Sequence, residues 1–343
     1  MSRDTAVQAV KRITEHVSAH ALERAEIVLH GGEPLLAGTD FVAWLADEVR
    51  RRVDPRVRLR IVMQTNGIAL RGRTLELLAE RDVSVCVSLD GPAAAHDRHR
   101  RFADGRGSHA QVRHALDLLA STSHRRLFAG ILAVVDLATD PLELYDEVLT
   151  WAPPTIDVIL PHGNWTTAPP GRFPDESTPY ARWLIGLFER WYSAPRREVD
   201  IRLFSEIIQL LLGGASSSEV IGLSPVGLVV VETDGSLEQV DTLKSTYDRA
   251  AATGLDIFAN SFDDALHTPA IAARQIGAEA LADGCRSCAV GRICGGGYYP
   301  HRYRAGAGFR NPSVYCPDLF RLVRHIEARV RADLTSLRGD AQC

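Results

Sequence analysis

Lysine and long apolar runs are both scarce in this 343-residue sequence. Lys11 and Lys244 are its only lysines, so arginine carries almost all of the positive charge. The net charge of −4 argues against a general nucleic-acid-binding surface. No apolar run reaches the roughly 18 residues of a membrane span, and no apolar secretion signal is visible at the N-terminus. We therefore expect a cytoplasmic protein that binds neither nucleic acid nor membrane.

Cysteine is missing from the first quarter of the sequence, and Cys86 is the first to occur. Four of the six cysteines lie near the C-terminus in a C-x2-C-x5-C-x21-C pattern. In the cytoplasm, clustered thiols favour a metal over disulfides. Zinc and iron–sulfur clusters both accept four thiolates, but three glycines after the third cysteine let backbone N–H groups approach sulfur, which favours iron–sulfur. The predicted metal ligands are Cys285, Cys288, Cys294 and Cys316.

The first 165 residues alternate apolar strands with helices, which is typical of parallel βα units. The predicted strands are Ile27–Leu29, Leu59–Met63, Val83–Leu89, Phe128–Val135 and Ile156–Leu160, and the helices between them are Asp40–Arg52, Leu75–Glu80, His109–Ala120 and Leu142–Leu149. An earlier helix is expected to begin at Ser2 or Asp4. Four of the strands end in glycine-containing loops, HGGE, QTNG, SLDG and LPHG. Each of these sequences alone is common in turns. Together they mark the C-terminal ends of the strands, where the active sites of barrel folds lie.

The rest of the chain divides into two further predicted parts. Residues 166–225 form a helical linker region, with apolar helices at Trp183–Trp191 and Phe204–Leu212. Residues 226–343 form a small metal-binding domain, which begins with a hairpin at Leu228–Leu237 turning at Asp-Gly. It ends in an amphipathic helix at Leu319–Leu334. The fold class is therefore α/β.

Taken together, these motifs resemble the radical S-adenosylmethionine (SAM) enzymes that carry a SPASM-type C-terminal domain. The resemblance depends on four segments, which are His30-Gly-Gly-Glu-Pro-Leu35, Gln64-Thr-Asn-Gly67, Val87-Ser-Leu-Asp-Gly-Pro92 and the four-cysteine region. The run from Gly308 to Cys316 and the hairpin sequence from Glu232 to Leu243 resemble the FxsB-like branch, which is linked to modification of ribosomally made peptides (RiPP maturation).

The resemblance implies a partial (β/α) TIM-type barrel, with the first strand missing, followed by a small SPASM-like iron–sulfur domain. It implies a peptide-modifying oxidoreductase acting on a ribosomally made precursor peptide. In relatives, a reduced cluster splits SAM to a 5′-deoxyadenosyl radical, which takes hydrogen from a peptide side chain. The implied cofactors are SAM and an auxiliary [4Fe-4S] cluster held by the four cysteines. The implied SAM-binding residues are Gly31, Gly32, Glu33, Asn66, Ser88, Asp90 and Arg100, with Glu33 on the amino group, Ser88 and Asp90 on the ribose side and Arg100 on the carboxylate.

One family motif has no counterpart here. Members hold the SAM-cleaving cluster by C-x3-C-x2-C after the first strand, and no cysteine precedes Cys86. We expect either a truncated or degenerate form of such an enzyme, or one that relies on a split partner. The alternative is a non-catalytic peptide-binding scaffold with a structural metal site.

Overall fold

The computed structural model describes residues 1–171 and 177–340 of the chain. Residues 172–176 of the predicted helical region and the terminal residues 341–343 lie outside this part. Strands and helices alternate from the N-terminus, as the sequence predicts. The first six strands are β1 (Arg24–Leu29), β2 (Arg58–Thr65), β3 (Val83–Ser88), β4 (Phe128–Val134), β5 (Thr155–Ile159) and β6 (Asp200–Ile201).

The helices of this region lie close to the predicted positions, except for α4, which was not predicted. They are α1 (Arg3–Ala19), α2 (Thr39–Arg52), α3 (Gly72–Glu80), α4 (Ala93–His99), α5 (His109–Ala120), α6 (Pro141–Leu149), α7 (Pro179–Tyr192) and α8 (Arg202–Leu211). Helix α1 begins after Ser2, whose hydroxyl accepts the Thr5 N–H at 3.0 Å. This capping bond satisfies one of the free N–H groups of the first turn.

All six strands form one parallel sheet in the order β1-β2-β3-β4-β5-β6. Ile27 lies beside Ile61, and Ile61 beside Val83, so the strand C-termini meet at one edge of the sheet. The sheet, with helices between its parallel strands, is a partial (β/α) barrel, as predicted. Among the described residues β1 pairs only with β2, and Val28 on this edge strand is 44% exposed.

Residues 166–225 contribute to the same core as the sheet. Strand β6 pairs with β5, while Leu187 and Phe188 of α7 and Phe204 of α8 are buried in the main hydrophobic cluster. The C-terminal helix α13 (Cys316–Asp340), which extends beyond the predicted helix at both ends, packs against α7 and α8. The division into 1–165, 166–225 and 226–343 stays a prediction.

The C-terminal part begins with a three-stranded antiparallel sheet. Its strands are β7 (Val230–Val231), β8 (Ser236–Glu238) and β9 (Ala252–Asp256), and the predicted hairpin is its first pair. Four short helices follow, at α9 (Phe262–Leu266), α10 (Pro269–Ala272), α11 (Asp283–Arg286) and α12 (Gly291–Cys294). Helix α1 packs onto this part, since Ala9 shares a small core with Leu237, Ile257 and Phe262.

Candidate functional site

Glu33, in the loop after β1, organises the first strand-end loops. Its Oε1 accepts the Thr65 hydroxyl at 2.7 Å and the Leu35 N–H at 3.2 Å, and its Oε2 accepts the Asn66 N–H at 2.8 Å. An ionised carboxylate has about four acceptor positions. The three bonds therefore leave one position, on Oε2, for an additional donor such as an ammonium group.

The two glycines before Glu33 present bare backbone beside this carboxylate. Gly31 has φ +105°, a conformation that L residues with a side chain rarely adopt. A Cβ built on Gly31 or Gly32 would meet no atom within 4 Å, so the space beside these amides is open. The Gly31 N–H donates to His30 Nδ1 at 2.7 Å, so in this open loop it is the Gly32 N–H that suits an anionic or hydroxyl-rich ligand.

A side-chain hydrogen bond connects the end of β2, beside the Glu33 loop, with the end of β3. Gln64, near the end of β2, donates its amide N–H to the Ser88 hydroxyl at 3.0 Å. Ser88 is the last residue of β3 and is 9% exposed. Hydrogen bonds thus connect the ends of β2 and β3, and the predicted residues Glu33, Asn66 and Ser88 lie along one edge of the sheet.

Asp90 and Arg100 contact each other, which the sequence does not predict. Arg100 donates Nε to Asp90 Oδ2 at 2.6 Å and Nη2 to Asp90 Oδ1 at 3.3 Å. The Val134 N–H also donates to Asp90 Oδ1, at 3.0 Å. Asp90 therefore joins the loop after β3 to the C-terminal end of β4. One acceptor position on Asp90 remains for a ligand. Arg100 Nη1, which has no partner within the described chain, and the second N–H of Arg100 Nη2 also remain.

His96 stabilises the loop after β3 through hydrogen bonds. It was not among the predicted site residues. It is fully buried; its Nδ1 accepts the Asp90 N–H at 3.3 Å and its Nε2 lies 3.0 Å from the Ser108 hydroxyl. Since Ser108 donates to the Arg100 carbonyl, the ring is neutral with its proton on Nε2. Burial lowers the pKa of His96 to about 4. The only sequence signal is its position behind the SLDG loop.

The four C-terminal cysteines come together around the short helices. Cys285 lies in α11, Cys294 ends α12 and Cys316 begins α13, while Cys288 lies between α11 and α12. All four are free thiols. Burial, followed by the charges of Cys285 and Cys288, raises the pKa of Cys316, and burial raises the pKa of Cys294 to about 12. Without a metal, Cys294 and Cys316 are therefore protonated at neutral pH.

The spacing of the sulfur atoms bears on which metal fits. Zinc–thiolate bonds of about 2.3 Å in a tetrahedron place sulfurs about 3.8 Å apart. Within residues 1–171 and 177–340, no three of these four sulfurs lie within 4.8 Å of one another. The sulfurs are therefore not arranged as a closed zinc site in this structure, and the iron–sulfur assignment stays a prediction.

A buried arginine and a close backbone contact complete the surroundings of the cysteines. Gly295 has φ +61°, and a Cβ on it would lie 1.6 Å from the Gly222 carbonyl oxygen, so no other residue fits. Arg302 is 8% exposed and donates to the carbonyls of Gly295 and Gly297 at 2.6 and 3.0 Å. Its charge lowers the pKa of Cys285 and Cys294 against the larger effect of burial. The region therefore favours bound anions such as metal thiolates.

The loop after β5 connects the barrel with the cysteine region. The Trp165 indole N–H donates to the Pro312 carbonyl at 2.7 Å, and the Tyr315 hydroxyl donates to the Pro161 carbonyl at 2.7 Å. Tyr315 directly precedes Cys316. One end of the barrel sheet and the cysteine region are therefore fixed relative to each other.

The residues present do not fit a SAM-cleaving cluster. Such a cluster requires three thiolates beside the Glu33 loop, as the family resemblance implies. Cys86 is the one cysteine of the described chain outside the C-terminal four. It lies inside β3, and burial raises the pKa of Cys86 to about 12. We therefore derive no catalytic step through that cluster.

Comparison with known proteins indicates similarity to maturation enzymes. No protein-family model matches the sequence. It is 26% identical over 247 residues to a cysteine-type anaerobic sulfatase-maturating enzyme of Clostridium perfringens, covering 70% of this chain and 64% of that protein. It is 24% identical over 332 residues to a serine-type anaerobic sulfatase-maturating enzyme of Klebsiella aerogenes, covering 95% of this chain and 78% of that protein. The chain thus matches less than two thirds of the Clostridium enzyme.

Solved structures show the same fold. Native anSMEcpe with bound AdoMet and Kp18Cys peptide superposes with a TM-score of 0.81 at 22% identity, covering 98% of this chain and 91% of that one. Streptococcus suis SuiB bound to S-adenosylmethionine gives a TM-score of 0.58 at 13% identity, covering 91% and 70%. The chain therefore has the architecture of these AdoMet-bound proteins. No helix in the described part of the chain is long and apolar enough to span a membrane.

Proposed function

We propose that this chain is the SAM- and peptide-binding body of a radical SAM/SPASM enzyme that modifies peptides. The observation that carries the proposal is the Glu33 carboxylate, which uses three acceptor positions to fix the Thr65 and Asn66 loop and keeps one open. The likeness to structures with bound AdoMet supports the same assignment. Glu33 binds the amino group of SAM, and the Gly31 and Gly32 amides line the space beside it.

The remaining SAM contacts are proposed for the loops after β2 and β3. Asn66 lies directly against Glu33, and Ser88 and Asp90 serve the ribose side of the ligand. Arg100 keeps Nη1 for the SAM carboxylate while Nε and Nη2 hold Asp90. This division of the guanidinium explains how one residue both orders the loop and binds the ligand.

The auxiliary [4Fe-4S] cluster is proposed for Cys285, Cys288, Cys294 and Cys316. The glycine turn after Cys294 and the buried charge of Arg302 near the thiolates support this assignment over zinc. When bound, such a cluster supplies electron transfer or a binding point for the peptide. Arg302 places its positive charge beside the thiolates, and the Gly295 turn lets the backbone approach them.

The substrate is proposed to be a ribosomally made precursor peptide, as in the FxsB-like branch. The sulfatase-maturating relatives and the peptide bound to anSMEcpe support a peptide or protein substrate in general. SuiB bound to precursor peptide SuiA has the same fold with a TM-score of 0.56. A C-x3-C-x2-C segment, from upstream residues or a split partner, is needed for SAM cleavage.

A second candidate is a peptide-binding scaffold with a structural metal site. The observation that favours it is the lack of any cysteine beside the Glu33 loop within the described chain. A scaffold needs no SAM. Only the first candidate therefore predicts that the chain binds SAM and that this binding depends on Glu33.

The test is equilibrium titration of SAM into the anaerobically reconstituted protein and two variants. Glu33→Gln keeps the size of the side chain but removes the charge that pairs with the ammonium. A hydrogen bond to a charged group contributes about 1.5–3 kcal/mol, so we expect the Kd to rise at least about tenfold. Glu26→Gln, on exposed β1 and paired with Arg60, is the matched control. Equal Kd values for wild type and Glu33→Gln, or no SAM binding at all, contradict the proposal.

A further inference from the structure

Three metal-binding side chains meet where α1 contacts the C-terminal part. His16 Nδ1 and His20 Nε2 each lie 2.8 Å from Asp263 Oδ1. The three ligand atoms lie within 4.8 Å of one another, and in the described part of the chain no other trio of His, Cys, Asp or Glu does so. None of the three belongs to the SAM loops or to the four cysteines.

The sequence places the two histidines on one face of a helix. Positions four residues apart along a helix are neighbours. His16 lies in the last turn of α1 and His20 is the C-cap residue that follows it, and their ring centroids are 4.5 Å apart. Asp263 comes from the first turn of α9, more than two hundred residues later. Two imidazoles and one carboxylate form a ligand set that zinc and similar divalent ions accept.

The distances between the three ligand atoms are close to those around a bound metal ion, but the nitrogen–oxygen distances are shorter. Metal–ligand bonds of about 2.0–2.2 Å place neighbouring ligand atoms about 3.4 Å apart in a tetrahedron. The Asp263 oxygen must therefore move from 2.8 Å to about 3.4 Å from each nitrogen, a shift of about 0.6 Å. All three side chains are partly exposed, so small rotations suffice and water has access to the remaining coordination position.

The surroundings fix the two elements in place. Gln8 and Arg12 of α1 both donate to the Ile257 carbonyl at 2.8 Å. The His16 ring meets Phe262 edge-on at 6.0 Å. These contacts hold α1 against the C-terminal part before any ion binds, which lowers the entropy cost of assembling a site from distant residues.

We propose that His16, His20 and Asp263 form a binding site for one divalent transition-metal ion of the zinc type. The ion joins α1, the helix that precedes edge strand β1, to α9 of the C-terminal part. The proposal does not depend on the proposed function. The competing arrangement is a carboxylate that accepts hydrogen bonds from both rings and binds no ion.

The experiment uses the whole chain with its cysteines already occupied. Protein reconstituted anaerobically with iron and sulfide is freed of loosely bound metal and titrated with Zn²⁺ by calorimetry. We expect one equivalent to bind and to raise the melting temperature, because an ion that binds only the folded state stabilises it. In His20→Gln and Asp263→Asn, we expect the affinity to fall at least about tenfold.

His267→Gln is the matched control. His267 lies near Asp263 but directs its Nδ1 to the Asp263 backbone carbonyl at 2.7 Å, not to the carboxylate. This variant should bind Zn²⁺ like wild type. Melting temperatures without zinc, measured for all three variants, show whether each variant is folded.

Co²⁺ distinguishes this site from the cysteines, because thiolate ligands give intense near-ultraviolet charge-transfer absorption and nitrogen and oxygen ligands do not. Because the cluster itself absorbs in this range, the spectrum before Co²⁺ addition is subtracted, and we expect the difference spectrum to show no new cobalt–thiolate bands. Absence of Zn²⁺ binding, unchanged binding in both folded variants, or thiolate bands with Co²⁺ would each overturn the proposal.

Discussion

Asp90, in the loop after β3, forms an ion pair with Arg100, with 2.6 Å between Arg100 Nε and Asp90 Oδ2. The Asp90 side chain is 7% exposed and also accepts the Val134 N–H. Asp90→Ala leaves a guanidinium and a backbone N–H without their partner. We expect a loss of about 3 kcal/mol in the free energy of unfolding, measured with urea.

An exposed pair provides the comparison. Arg56 is 90% exposed and contacts Asp54 at 2.6 Å. Arg56→Ala should change the stability by less than about 1 kcal/mol. If Asp90→Ala is no more destabilising than Arg56→Ala, the loop after β3 and the end of β4 do not depend on this pair.

His96 predicts a dependence of stability on pH. The pKa of His96 is lowered to about 4, mainly by burial, from an unfolded value of about 6.5. Between these values the unfolded state binds the proton and the folded state does not, so stability is complete above pH about 6.5 and falls as the pH decreases toward 4. The shift corresponds to a contribution of about 3 kcal/mol.

His96→Gln isolates this contribution, because glutamine does not titrate. Denaturant unfolding at a series of pH values should show a smaller decrease for the variant between pH 6.5 and 4. Parallel curves for the two proteins would mean that His96 does not carry the proton difference. His301, whose pKa burial lowers to about 3, is unchanged in both proteins.

Cys288→Ala tests the metal assignment. The cysteine is one of four predicted ligands, and metal binding is coupled to folding of the surrounding residues. After anaerobic reconstitution we expect wild type to bind iron and sulfide with broad brown absorption, and the variant to lose both. Cys86→Ala is the matched control and should keep the cluster. Stoichiometric zinc without iron in wild type would contradict the assignment.

The free edge of β1 predicts self-association. An edge strand with unpaired backbone groups pairs readily with another chain, and Val28 exposes its side chain there. Sedimentation velocity should show dimers or larger species that increase with concentration, and Val28→Lys should reduce them. Leu36→Lys changes an equally apolar residue that is 84% exposed but outside the strand, and should not. A monodisperse wild-type monomer would contradict this prediction.

Much of the barrel can be predicted from the sequence because its strands and helices have clear apolar periods. Helix α5 has the predicted bounds, His109–Ala120. Strand β6 was not predicted, since two residues are too few to show alternation. Strand β9 was missed because Gly254 and Asp256 are poor strand formers.

The residues of the site can be predicted from the sequence, but most of the contacts between them cannot. The glycine loops and Glu33 were predicted from motifs, and the structure joins Glu33 to Asn66 by a hydrogen bond. The Asp90–Arg100 pair was not predicted, because residues ten positions apart meet only through the turn of α4. Similarly, the contact of His16 and His20 with Asp263 depends on how α1 packs, which no local pattern specifies.

The central claim is that this chain binds SAM but lacks the thiolates that cleave it. The most direct measurement is 5′-deoxyadenosine formation by the anaerobically reconstituted chain with dithionite and SAM. The four C-terminal thiolates would occupy every iron of the auxiliary cluster, so none is open to SAM. We predict no product above the enzyme-free control, and product from the same chain extended by a C-x3-C-x2-C segment. Turnover by the chain alone would contradict the account.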